Sequence, residues 1–129
     1  MNERILVVED EAITALDLKY SLEEIGYEVI DTVDTGQDAI DIAEKKRPDV
    51  VLMDIKLKGD MEGFEAAEVI SQWNIPIIYL TANTDIDTFE QSKVKGVYGF
   101  VSKPYDLNKL NETLKDTFEK VKSEKITDV

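Results

Sequence analysis

The chain has 129 residues, 43% of them hydrophobic, and a net charge of -13. That is enough for one domain with one sizeable core, and the acidic balance excludes direct binding of nucleic acid or an anionic membrane, which need a basic face. Cysteine and histidine are both absent, which excludes disulfides and Cys–His or Ser–His–Asp catalysis and leaves any metal site to oxygen ligands.

The first apolar run, Ile5–Val8, follows the N-terminus with no signal-peptide core before it, and no later run reaches membrane length. A cytoplasmic protein is expected. Ala15, Leu18, Leu22 and Ile25 then recur at helical spacing, with Gly26 as the stop. Val29–Val33 is interrupted by Asp31, which suits an edge strand. A second helix, Gln37–Lys46, is closed by Pro48, and Val50–Met53 is a continuously apolar third strand. Gly63–Trp73 reads as the third helix, Ile75–Leu80 as the fourth strand and Asp85–Lys95 as the fourth helix. Val97–Val101 carries Gly99 and suits the other edge. Leu107, Leu110, Leu114, Phe118 and Val121 mark a last helix over Asp106–Lys122, with Asp106 as its N-cap. Ser123–Val129 reads as a loose tail or the start of a linker, so the domain is expected over residues 1–122. Five βα units in so short a chain predict an α/β fold, a doubly wound five-stranded parallel sheet with helices on both faces.

In such sheets ligands bind beyond the carboxyl ends of the strands. Glu9, Asp10 and Glu11 follow the first strand, Asp54 the third, Thr81 the fourth, and Lys103 with Pro104 the fifth. Each has a duller reading. The acidic run and Thr81 could cap helices, Asp54 could be a loop residue, and Lys103 a solvated side chain beside a turn. Independent caps, however, need not converge on one rim. Crowded carboxylates raise one another's pKa and call for a hard divalent cation, and an all-oxygen set fits Mg²⁺. Lys103 and the Thr81 hydroxyl can then neutralise phosphoryl oxygens while the central carboxylate acts as nucleophile and forms an acyl phosphate.

The motifs ILVVEDE, DVVLMD, YLTAN and FVSKPY make the chain resemble the response-regulator receiver domains of two-component signalling over about residues 3–120. The resemblance implies a flavodoxin-like (βα)5 fold with strand order 2-1-3-4-5. It implies that Asp54 accepts a phosphoryl group from a sensor histidine kinase, in a self-catalysed transfer and not as a turnover enzyme. Asp10 and Asp54 would bind Mg²⁺, with Glu9 acting through water and Lys56 through its main-chain carbonyl. Thr81 and Lys103 would contact the phosphoryl group, Lys103–Pro104 would be cis, and Thr81 and Phe100 would form the switch. Residues 85–122 would provide a face for a downstream effector or a homodimer.

The chain also departs from the family pattern. Leu57–Gly63 is one residue longer than the usual loop and lacks its proline. Lys56 and Asn83 occupy two positions that tune acyl phosphate lifetime in the family, and Phe100 stands where tyrosine is common. Two other function classes compete. A haloacid-dehalogenase-type phosphatase would need an aspartate where Lys56 stands. A flavin- or nucleotide-binding module would need a phosphate-cradling glycine loop, and neither GxxxxGK[ST] nor GxGxxG is present. Trp73 is expected to be partial core at a helix end.

Overall fold

The computed structural model describes residues 3–57, 59–81 and 96–127, with side chains to residue 124. In chain order these form β1 (Arg4–Val8), α1 (Ala12–Glu24), β2 (Glu28–Val33), α2 (Gly36–Lys46), β3 (Val50–Asp54), α3 (Gly63–Ser71), β4 (Ile77–Thr81), β5 (Val97–Ser102) and α4 (Leu107–Thr127). The helix expected over residues 85–95 lies outside the described residues.

The five strands pair in parallel in the order β2-β1-β3-β4-β5, so β2 and β5 are the edges, as their broken patterns suggest. In the central strands β3 and β4 every residue is buried, and in β1 all but Arg4. Their side chains alternate between the two faces. Ile5, Val7, Leu52, Ile78 and Leu80 meet Leu18 and Leu22 of α1 and Leu110 and Leu114 of α4. Leu6, Val8, Val51, Met53, Ile77 and Tyr79 meet Ala39 and Ala43 of α2 and Ala66, Ala67 and Ile70 of α3. A continuously apolar strand therefore feeds two cores, and burial on both faces is what demands the unbroken Val/Ile/Leu runs.

Local chemistry sets the helix starts. The Thr35 side chain accepts from Asp38 N at 3.1 Å to begin α2, and Glu62 with Glu65 forms a capping box at α3. Asp106 Oδ1 accepts from Asn108 N at 2.9 Å, the expected cap of α4. Gly26 ends the first helical segment with φ of 108°, where a side chain would be strained.

Several boundaries differ from the sequence reading. Ile25 lies at the C-cap of α1 and is 41% exposed instead of joining the core. Helix α4 runs on to Thr127, through most of the expected tail, because its charged residues favour helix well enough to extend the segment beyond the apolar stripe. Helix α3 ends at Ser71, and Trp73 packs against the second core from the following turn. The Arg47 guanidinium lies 5.0 Å from the centre of the Trp73 ring. Asp54 is the last paired residue of β3, at the end of the buried strand as its place after Val50–Met53 suggests, so the loop alternative falls away.

Candidate phosphoryl-acceptor site

The register brings the strand ends to a common rim. Val8 pairs with Met53, Asp54 with Leu80, and Thr81 with Ser102. Strand order reverses at β1, which has β2 on one side and β3 on the other, so a crevice opens where Glu9, Asp10 and Asp54 emerge.

Glu9 and Asp54 are both buried, 1% and 3% exposed, whereas Asp10 is partly exposed. One carboxylate oxygen from each of the three lies within 4.8 Å of the others. Lys103, delivered by the end of β5, places its Nζ 2.9 Å from Asp54 Oδ2 and 3.3 Å from Glu9 Oε1. The main chain adds two donors: Lys56 N to Asp54 Oδ1 at 3.2 Å and Glu11 N to Glu9 Oε1 at 3.3 Å. Lys103 N also donates to the Thr81 carbonyl at 2.8 Å, tying the end of β5 to the end of β4. Thr81 is buried there, and the Lys103–Pro104 peptide is cis.

One ammonium thus serves two buried carboxylates. Burial pushes the Asp54 carboxyl up from 3.8 to about 7; the Lys103 hydrogen bond works against the rise and the Glu9 charge adds to it. Burial also disfavours the Lys103 ammonium, but its bonds to Asp54 and Glu9 outweigh that and raise its pKa. The cluster is short of positive charge, and its donors are all oxygen. That is the chemistry of a hard divalent cation such as Mg²⁺.

Two further residues shape the site. Tyr105 donates from its hydroxyl to Glu9 Oε2 at 3.0 Å, and burial together with the Glu9 charge pushes its pKa up, so it remains a donor. The motif FVSKPY contains this residue; a polar-tipped aromatic just beyond the rim lysine is the signal that marks it. Gly63 starts α3 directly against the acceptor strand. Its N donates to Ile55 O at 2.7 Å, and an added Cβ would lie 2.1 Å from the Asp54 carbonyl oxygen. The unusual loop folds back through this contact, with Gly59 at φ of 91° and Met61 packed over Gly36. Asn83 lies outside the described residues. Phe100 is 48% exposed on β5, its ring stacked on Tyr79 at 6.0 Å.

Residues 5–115 match the response regulator receiver domain family. The chain belongs to that family. This receiver is 35% identical to sporulation initiation phosphotransferase F of Bacillus subtilis, covering 89% of this chain and 93% of that one. It spans about half the length of other curated relatives, the transcriptional regulatory proteins PdtaR of Mycobacterium tuberculosis, which are 37% identical over 108 residues, 83% of this chain and 52% of theirs. Among solved structures, the signal receiver domain of a modulated diguanylate cyclase from Desulfovibrio desulfuricans superposes with a TM-score of 0.90 at 34% identity, over 96% of this chain and 99% of that one. The receiver domain of a sensor histidine kinase from Pseudomonas aeruginosa, with magnesium coordinated in its active-site cleft, superposes with a TM-score of 0.78 at 30% identity, over 89% and 96%. Membership replaces the phosphatase and nucleotide-binding alternatives. Among the described residues no helix is long and apolar enough to cross a membrane.

Proposed function

We propose that the receiver accepts a phosphoryl group on Asp54 from a sensor histidine kinase in the cytoplasm, and passes the signal to an effector through its β5–α4 side. The observation that carries this is a buried strand-end carboxylate held 2.9 Å from a lysine and beside two further carboxylates. A loop carboxylate would lose more entropy in reaching that geometry than one fixed by the sheet.

Glu9, Asp10 and Asp54, with the Lys56 carbonyl, would hold Mg²⁺, which supplies charge neutralisation for the transferring group. The chain's own residues do the rest. Asp54 attacks the phosphorus through a carboxylate oxygen, the donor's phosphorus–nitrogen or phosphorus–oxygen bond breaks, and an acyl phosphate remains. Lys103 turns from Asp54 to a phosphoryl oxygen, and the Thr81 hydroxyl donates to another. The domain catalyses its own modification once per cycle and is not a turnover enzyme. Ile13, Leu16 and Tyr20 stand exposed at helical spacing on α1, next to the acidic pair, and offer a kinase an apolar face beside the site. A homodimer through residues 85–122 is a further use of the output side.

The test uses acetyl phosphate in place of a kinase. With Mg²⁺, intact-protein mass spectrometry should show one hydroxylamine-labile phosphoryl group on the wild type and none on Asp54→Asn. Lys103→Ala should accept only weakly. A wild type inert to acetyl phosphate and to phosphorylated kinases, or a phosphorylated Asp54→Asn, overturns the reading.

A further inference from the structure

We propose that Tyr105 is a positioning residue of the cation site, whose hydroxyl holds the Glu9 carboxylate in place when Lys103 is drawn to the phosphoryl group. The inference rests on the phosphoacceptor reading above and extends it to a side chain with no role there.

The buried Glu9 carboxylate has three donors among the described residues. Glu11 N and Lys103 Nζ each lie 3.3 Å from Oε1, and Tyr105 Oη lies 3.0 Å from Oε2. The lysine also reaches Oε2 at 3.3 Å. Lys103 is shared with Asp54, so when its ammonium turns to a phosphoryl oxygen its hold on Glu9 loosens along with its bond to Asp54. Among the described residues the Tyr105 hydroxyl bonds to Glu9 and is not shared with Asp54. Its ring packs against the core formed with Leu110 and Leu114, so the hydroxyl is delivered from a fixed platform.

The consequence follows from what a buried carboxylate needs. Without the hydroxyl, one oxygen of Glu9 loses its neutral donor and turns wholly to Lys103. A cation entering the cluster must then compete with that lysine for Glu9, and the lysine is held back from the phosphoryl group. With the hydroxyl in place, Glu9 stays oriented while Lys103 leaves. Hydrogen-bond partners behind metal-binding groups commonly change metal affinity by tenfold or more when removed. Glu9 is expected to act through water, so an effect of about three- to tenfold is the expectation here.

The experiment measures the Mg²⁺ dissociation constant by calorimetry for wild type, Tyr105→Phe, Glu9→Gln and the double variant. Phenylalanine keeps the ring and its packing, and melting in EDTA reports any purely structural loss. Tyr105→Phe should weaken Mg²⁺ three- to tenfold in the wild-type background and leave it unchanged in Glu9→Gln, because the tyrosine acts through Glu9. Equal weakening in both backgrounds, or a lower melting temperature in EDTA with an unchanged dissociation constant, overturns the proposal. A wild type that binds no Mg²⁺ overturns the phosphoacceptor reading itself, and this inference with it.

Discussion

Lys103 Nζ bridges Asp54 Oδ2 at 2.9 Å and Glu9 Oε1 at 3.3 Å, so a single ammonium spans two buried carboxylates set at the ends of neighbouring strands β1 and β3. Its charge can balance one of them. The remaining negative charge sits where water is excluded, and this imbalance controls how the domain responds to pH and to cations.

The first consequence is a pH dependence of stability without metal. Asp54 has a pKa of about 7 in the fold against 3.8 as its ordinary value. Between those values the folded protein keeps a proton that the unfolded chain has released. Stability therefore falls as pH rises from about 4 to about 7 and levels off above. In EDTA, urea unfolding of the wild type should weaken across that window. Asp54→Asn, which has nothing to titrate there, should show a flatter profile and exceed the wild type at pH 8. A wild type that gains stability over the same range would contradict the burial argument.

Cation binding should reverse that loss. Mg²⁺ needs the Asp54 carboxylate, so each ion displaces the proton held below about pH 7, and affinity should climb from pH 6 to pH 8. The rise in melting temperature should grow with free Mg²⁺ once its dissociation constant is passed. Asp10→Asn keeps the fold's buried residues intact and removes the partly exposed ligand, so most of the Mg²⁺-dependent shift should vanish. A full shift in that variant would put the ion elsewhere.

Two glycines in the acceptor loop should separate packing from conformation. At Gly63 an added Cβ meets main-chain atoms, the Asp54 carbonyl oxygen at 2.1 Å and Ile55 Cα at 2.8 Å. Main chain cannot rotate away as a side chain can, so α3 or the end of β3 must shift. Gly63→Ala should cost about 3 kcal/mol, the upper end for overpacking, and slow phosphorylation by moving Asp54. Gly59 has a φ of 91° but open space around its Cα. Gly59→Ala should cost about 1 kcal/mol of backbone strain and leave phosphorylation unchanged. Urea unfolding and acetyl phosphate uptake of the two variants test the contrast. Equal costs would mean that the close approach of Gly63 to the strand is not maintained in solution.

The strands were legible because burial on both faces leaves an unambiguous pattern: Val50–Met53 cannot be amphipathic and has to be central. The rim residues Glu9, Asp10, Asp54 and Lys103 were legible for a related reason, since each lies within two residues of the end of an apolar run. Tyr105 and Gly63 were not assigned roles, because what they do depends on long-range approach. Tyr105 meets Glu9 across 96 positions of sequence, and Gly63 meets the main chain of Asp54 where α3 returns to the sheet. The polar-tipped aromatic beyond Lys103 marks Tyr105 as a rim residue but does not name its partner, and nothing in local composition encodes the approach of Gly63. The end of α4 was misplaced because Ser123–Thr127 carries no apolar periodicity; its Glu124 instead accepts from the Tyr98 hydroxyl on β5, a contact that sequence pattern does not reveal.

The final expectation concerns Phe100. Its ring is 48% exposed on an edge strand and stacks at 24° on buried Tyr79. Strand β5 has a single neighbour, so moving it breaks one ladder, not two. The end of β5 is coupled to the site twice, through Lys103 Nζ at Asp54 and through Lys103 N at the Thr81 carbonyl. A phosphoryl group on Asp54 that draws in the Lys103 ammonium and the Thr81 hydroxyl therefore pulls both strand ends toward it. The exposed ring gains apolar burial by following, at roughly 25 cal/mol per Å², and the population shifts toward the inward position. With fluorophenylalanine at the four phenylalanines, and the Phe100 signal assigned from Phe100→Leu, adding Mg²⁺ and beryllofluoride should shift that resonance. Thr81→Ala should still bind beryllofluoride but should lose most of the shift. If the Phe100 signal stays fixed in the wild type while amides around Asp54 move, the aromatic is packing only and the output travels by another route.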